Sequence, residues 1–306
     1  MSMIALRRTL NSPSFASALP YAALLGAMLS LAFGTSFAKQ MFPMVGAEGT
    51  AALRVGLAAL MLLAVFRPWR LRLGREDLKR VLAFGLVLGL MNLTFYMSLR
   101  TIPLGLALAI EFTGPLTLAL IHARRLIHFV WIGCAAIGLL LLLPLSGGAG
   151  SLDPVGVGFA LIAAVCWALY IVFGKRLSHI PSGPSVAMGM SVAALVILPF
   201  GVATAGAGLF APPVLVLAVV VAICSSALPY SLDMIAMRGM PKRTFGVLLS
   251  GEPAIGAMAG MIFLHELLTG QQWLAIGCIV AASVGAILTT GKEEAAPTDA
   301  PAPNPN

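Results

Sequence analysis

Apolar residues run along this chain in long stretches, each closed by a charge, a glycine or a proline, almost without pause from Leu19 to Thr290. A hydrocarbon core roughly 30 Å thick is crossed by about 20 helical residues, so each stretch is long enough to traverse a bilayer. The pattern predicts an all-α integral membrane protein with ten transmembrane helices, near residues 20–41, 48–66, 78–99, 104–122, 127–145, 154–174, 182–203, 212–237, 244–264 and 271–290. Arg7 and Arg8 are followed by a polar Ser/Pro stretch and then by a full-length span, so the first helix is expected to act as its own targeting signal rather than as a cleaved leader. The tail after Gly291 has too few apolar residues to build a core and is expected to be disordered.

Composition strengthens the membrane reading. Charged residues make up only 10% of the chain and apolar ones 59%, whereas soluble domains carry about 25% charged residues. Lipid must cover what a polar surface would otherwise cover. The net charge of +8 does not call for a nucleic-acid partner, because the basic residues are gathered in short connections between spans, where topology places them. With the N-terminus inside, every Lys and Arg except Lys39, Arg54 and Arg100 falls on the cytoplasmic side, so both termini are expected there. The four cysteines (Cys134, Cys166, Cys224, Cys278) lie singly in apolar runs, without partners at metal spacing, and read as small core residues.

The chain repeats itself. Leu99-Arg100-Thr101-Ile102-Pro103 recurs as Met237-Arg238-Gly239-Met240-Pro241, and at the same offset Pro115 is matched by Pro253. Ile132-Gly133-Cys134 recurs as Ile276-Gly277-Cys278 at a slightly larger offset. A repeating unit of five spans must enter the membrane from opposite faces in its two copies, the inverted-repeat topology of many secondary transporters. The expected organisation is a cytoplasmic segment at 1–18, a first repeat at 19–146, an inverted second repeat at 147–290 and a tail at 291–306.

Charges inside spans cost about 2.5 to 3.5 kcal/mol on insertion scales, which makes each one a candidate site residue. Arg54, Glu111, Asp233 and Glu252 are such charges. Pro115 follows Glu111-Phe112-Thr113-Gly114, and Pro253 follows Ser250-Gly251-Glu252. A proline removes one intrahelical hydrogen bond and glycine loosens the turn, so interrupted helices are expected at Gly114/Pro115 and Gly251/Pro253, with a binding site between them. Glu111 and Glu252 should share a helix face and approach one cavity from opposite sides. Each acid either pairs with an arginine to hold the bundle or binds substrate and proton. Arg54 either turns inward or snorkels to the outer surface. Asp233 is either a cap or interface charge near Arg238 or a gating or proton-relay acid. Asn92 and Tyr96, one turn apart, together with Trp167, Tyr170 and Tyr230, either line a polar cavity or pack. Lys39, Glu48, His265 and Glu266 stand at outer span ends and read as interface anchors. The glycine pairs Gly85/Gly89 and Gly256/Gly260 have the spacing that brings helices close together.

Ala51-Ala52-Leu53-Arg54, Phe66-Arg67-Pro68-Trp69-Arg70-Leu71-Arg72, Glu111-Phe112-Thr113-Gly114-Pro115, Ala227-Leu228-Pro229-Tyr230-Ser231-Leu232 and Gly260-Met261-Ile262-Phe263-Leu264 resemble the EamA-type branch of the drug/metabolite transporter superfamily, over roughly residues 19–290. The resemblance implies ten helices in two inverted repeats and export, across an inner membrane, of small polar solutes such as threonine or homoserine, driven by protons. A broad drug or metabolite exporter is the alternative within the same superfamily. Asp233 stands where the resemblance leads one to expect Glu. An intramembrane enzyme is a poor fit, since the four histidines (His122, His128, His179, His265) lie near span ends and neither His-Glu-x-x-His nor Gly-x-Ser-x-Gly occurs. No cofactor or metal is expected.

Overall fold

A computed structural model describes residues 13–71, 73–120, 126–142, 152–177, 179–239, 245 and 248–290. Among these the chain is helical, with no strand. The helices are α1 (Pro13–Gln40), α2 (Phe42–Phe66), α3 (Arg75–Ser98), α4 (Leu104–Leu120), α5 (Leu126–Leu142), α6 (Pro154–Lys175) and α7 (Ser182–Ala205). After them, α8 runs through Pro212–Ala222, a π turn at Ile223–Ala227 and Leu228–Gly239, and is followed by α9 (Glu252–Leu264) and α10 (Gly270–Thr290). The ten helices fall on the ten predicted stretches. The expected N-terminal segment and tail lie largely outside the described residues.

Five segments are long and apolar enough to cross a membrane by length and composition: Ala18–Gln40, Phe42–Phe66, Arg75–Ser98, Pro154–Lys175 and Gly183–Phe210. The other apolar helices are shorter. The bundle turns large apolar side chains outward, among them Leu60, Val165, Leu195 and Val216, and keeps many alanines inside. That distribution suits lipid outside and close backbone approach inside.

The packing follows a regular scheme. α2 packs on α7, α4 on α9 and α5 on α10, each helix against the one five places later. The pairs α3 with α6, α3 with α7 and α4 with α6 are matched by α8 with α1, α8 with α2 and α9 with α1. The repeated Ile-Gly-Cys tripeptides meet in this scheme, the Cys134 thiol donating to the Cys278 carbonyl at 3.3 Å.

Two glycines fix close geometry. Gly46, at φ 71°, bends the start of α2 in a conformation that L side chains rarely adopt. At Gly114 an added Cβ would stand 1.9 Å from the Ala164 carbonyl oxygen, so α4 can cross α6 this closely only with glycine there. The expected break at Gly114/Pro115 is not found: α4 continues through Pro115 to Leu120. Gly114 therefore serves a helix crossing. Near the second proline, Phe245, Leu248 and Leu249 are helical, Ser250 and Gly251 form a turn, and α9 starts at Glu252. Pro253 lies in the first turn of α9, where its missing N–H leaves no hydrogen bond unmade.

Candidate substrate site

The centre of the molecule is organised by a proline that the sequence shows and a carbonyl that it does not. Pro229 has no N–H, so the Ser225 carbonyl, four residues earlier, lacks its ordinary helical donor. α8 accommodates this with the π turn at Ile223–Ala227, in which the Leu228 N–H bonds to the Ile223 carbonyl. The Ser225 carbonyl is taken instead by Arg54, whose Nη2 donates to it at 2.8 Å. Arg54 Nε donates to Ser225 Oγ at 2.7 Å, and Ser225 Oγ in turn donates to the Val221 carbonyl at 2.6 Å.

On its other side Arg54 is held by α3. Its Nη1 donates to Asn92 Oδ1 at 2.7 Å, while Asn92 Nδ2 donates to the Leu88 carbonyl at 2.9 Å. The Tyr96 ring lies against the guanidinium, with its centroid 5.4 Å from Cζ. Arg54 is 6% exposed and turned inward, which overturns the snorkelling alternative. Its hydrogen-bond partners are neutral. A guanidinium offers five N–H donors; three are committed to these partners, which leaves two, beside the Tyr96 hydroxyl, without a completed hydrogen bond among the described residues.

Glu111 of α4 and Glu252 of α9 are buried to the same degree, each 6% exposed. Glu111 lies within electrostatic reach of Glu252 and of Arg54, and Glu252 within reach of Asp233. Among the described residues neither glutamate forms a hydrogen bond or an ion pair. Bundle-holding pairs between these acids and an arginine are therefore absent there. Asp233, on α8, is half-buried, and its buried Oδ1 has no hydrogen-bond partner among the described residues, which does not suit a surface cap.

The remaining candidates divide. Trp167 stands edge-on to Phe112, ring centroids 5.4 Å apart, beside Glu111. Tyr170 stacks on Phe84 at 4.9 Å and belongs to the packing of α6 on α3. The Tyr230 side chain lies outside the described residues. Sequence reasoning missed Ser225. The signal was present in Ser225-Ser226-Ala227-Leu228-Pro229, where the proline stands four residues after the carbonyl it exposes.

A second charged cluster joins the Gln40 end of α1, the start of α4 and the α9–α10 connection. Lys39 Nζ forms an ion pair with Glu266 Oε1 and donates to the Ile102 carbonyl at 3.2 Å. Glu266 Oε2 accepts the Leu104 N–H, at the start of α4, at 2.8 Å, a helix cap supplied from a distant part of the chain. Lys39 and Glu266 were expected as independent interface anchors; they are a partly buried clasp. Glu48 pairs with the more exposed Arg100 at 3.2 Å.

Residues 154–288 match the EamA-like transporter family. The threonine/homoserine exporter RhtA of Escherichia coli (strain K12) is 50% identical to this chain over 275 residues, covering 90% of the chain and 93% of the exporter. The chain belongs to the EamA-like transporter family. The same-named exporter of Salmonella typhimurium (strain LT2) is 48% identical to the transporter over the same span, and the uncharacterized inner membrane transporter YedA of Escherichia coli (strain K12) is 32% identical over 63% of the chain and 64% of its own length. A solved crystal structure, 21% identical, superposes on 92% of the transporter and 100% of that chain with a TM-score of 0.55, a likeness of fold.

Proposed function

We propose that this transporter exports small hydroxylated amino acids, threonine and homoserine among them, across the inner membrane by proton-coupled alternating access. The observation that carries the chemistry is the pairing of a buried, neutrally ligated Arg54 with two buried acids that no described residue neutralises. An amino-acid zwitterion offers the complement of both. Its carboxylate fits the two uncommitted Arg54 N–H donors, and its ammonium fits Glu111. The relatives bearing the exporter name supply the substrate class and the membrane.

Coupling follows from competition. A carboxylate that holds a substrate ammonium has no place for a proton, so protonation of Glu111 or Glu252 from one side and amine binding from the other exclude each other. Asp233, in reach of Glu252, extends the set of acids toward the cytoplasmic end of α8. Ten spans in two inverted repeats, with both termini cytoplasmic, are supported by the packing of α2, α4 and α5 each on the helix five places later, by the repeated motifs and by the distribution of Lys and Arg. In this orientation the Lys39–Glu266 clasp closes the outer side.

The test is efflux of radiolabelled threonine and homoserine from preloaded proteoliposomes, with and without a pH gradient. Gradient-dependent efflux is expected, and Glu111→Gln should lower it by about 10- to 100-fold, the worth of one hydrogen bond to a charged group. Folded, inserted protein that moves neither compound would overturn the substrate. Glu111→Gln and Glu252→Gln that both keep wild-type efflux at every pH would overturn the coupling.

A further inference from the structure

A buried tyrosine hydroxyl ordinarily finds a hydrogen-bond partner. The Tyr96 phenol is 0% exposed and makes no hydrogen bond among the described residues. The Thr35 hydroxyl of α1 and the Arg54 guanidinium both lie beside it, neither in a geometry that completes a hydrogen bond. Other buried polar atoms are also unpartnered, such as those of Trp131 and Ser283, but Tyr96 is the one whose ring rests on the Arg54 guanidinium. Its position follows from α3 alone. Asn92 and Tyr96 are four residues apart and share a face, so the side chain that ligates Arg54 and the phenol that lacks a partner are presented together.

We propose that Tyr96 reads the side-chain hydroxyl of the substrate and so makes the transporter favour hydroxylated small amino acids over their methyl isosteres. The inference rests on the amino-acid reading of the same site. An α-carboxylate on Arg54 brings the short side chain of its amino acid into the neighbourhood of the ring packed on that arginine. A phenol both donates and accepts, and its proton rotates to suit, so it can meet a hydroxyl on the β carbon or on the γ carbon. A methyl group in the same place leaves the phenol unpaired. A site with a buried polar group waiting for a partner discriminates against the analogue that lacks it far more strongly than an apolar pocket discriminates by size.

The decisive variant is Tyr96→Phe, which keeps the ring against Arg54 and removes only the hydroxyl. In proteoliposomes, threonine should be preferred to valine, and homoserine to norvaline, by wild-type protein. Tyr96→Phe should lose about ten-fold of each preference through weaker handling of the hydroxylated member, with valine and norvaline handled as before. Because the lost hydroxyl has no partner, the empty variant in detergent should melt no lower than wild type, and threonine should raise its melting temperature less than it raises that of wild type. An unchanged preference in the variant overturns the inference and leaves the exporter reading intact, as does wild-type protein that moves threonine and valine alike. A variant that melts well below wild type assigns the hydroxyl to the fold and also overturns it. Wild-type protein that moves neither threonine nor homoserine overturns the exporter reading and this inference together.

Discussion

The two charged clusters of this molecule are built on opposite rules. At the Lys39–Glu266 clasp a cation meets an anion, and the remaining polar capacity is met by the Ile102 carbonyl and the Leu104 N–H. At the centre Arg54 is surrounded by neutral groups, while Glu111 and Glu252 stay without partners among the described residues. Burial of charge is expensive unless it is compensated. Where compensation is internal, the cluster holds the structure; where it is withheld, the proposed substrate is what supplies the missing partner. The sequence had already set the two groups apart, as mid-span charges and as span-end anchors; what the packing adds is the contrast in how each is compensated.

Breaking the central cluster should have the largest effect. Arg54→Lys keeps the charge, but a single ammonium cannot span the Ser225 carbonyl, Ser225 Oγ and Asn92 in the fork geometry of a guanidinium. Amino-acid efflux should fall about 100-fold and unfolding stability by about 1–3 kcal/mol, because a buried carbonyl is left without a donor. Normal transport by a protein as stable as wild type would erase the distinction between the two regions.

The clasp should answer differently. Glu266→Gln retains an acceptor for the Leu104 N–H but leaves Lys39 without its counter-charge, and should cost about 1–2 kcal/mol of stability in detergent unfolding. Joined to Lys39→Met it should cost less than the sum of the two single changes, since the double variant leaves no orphaned charge. Strict additivity would show that the pair is not coupled. Substrate discrimination should be unaffected in all three variants.

The smallest effect lies outside the spans, at the start of α6. Asp153 caps that helix, accepting from the Val155 and Gly156 N–H groups at 3.2 Å each. The Thr101 hydroxyl first, and then these backbone donors, hold its carboxyl below the usual carboxylate value. A lowered folded-state pKa gives stability that is fully present above about pH 4 and is lost as the pH falls through the lowered value. Asparagine caps as well but does not titrate. Asp153→Asn should therefore melt like wild type near neutral pH and lose slightly less stability on acidification, as read from melting curves across acid pH; identical curves would assign the acid sensitivity to other groups.

Much of this was legible from the chain. Ten apolar stretches became ten helices, and three mid-span charges, Arg54, Glu111 and Glu252, are buried among them. The prolines were legible only in part. Pro253 marked a real helix start and Pro115 did not break α4, because a proline costs one hydrogen bond locally and the surrounding packing decides whether the helix yields. Gly114 looked like a loosened turn and proved to be the point where α4 crosses α6.

What the sequence determined by itself is whatever adds up along the chain against a slab of hydrocarbon: which stretches form apolar helices, which connections hold the positive charge, and which short motifs recur. Hydropathy is a local sum, so it can be read residue by residue. Which charges satisfy one another was decided only by the tertiary structure. Arg54 and Ser225 are 171 residues apart, and so are brought to hydrogen-bonding distance by helix packing rather than by any local pattern. The same packing gave Glu266 a lysine and a helix N-terminus and gave Glu111 neither among the described residues, because partnership depends on a few ångströms of position that no local sum contains.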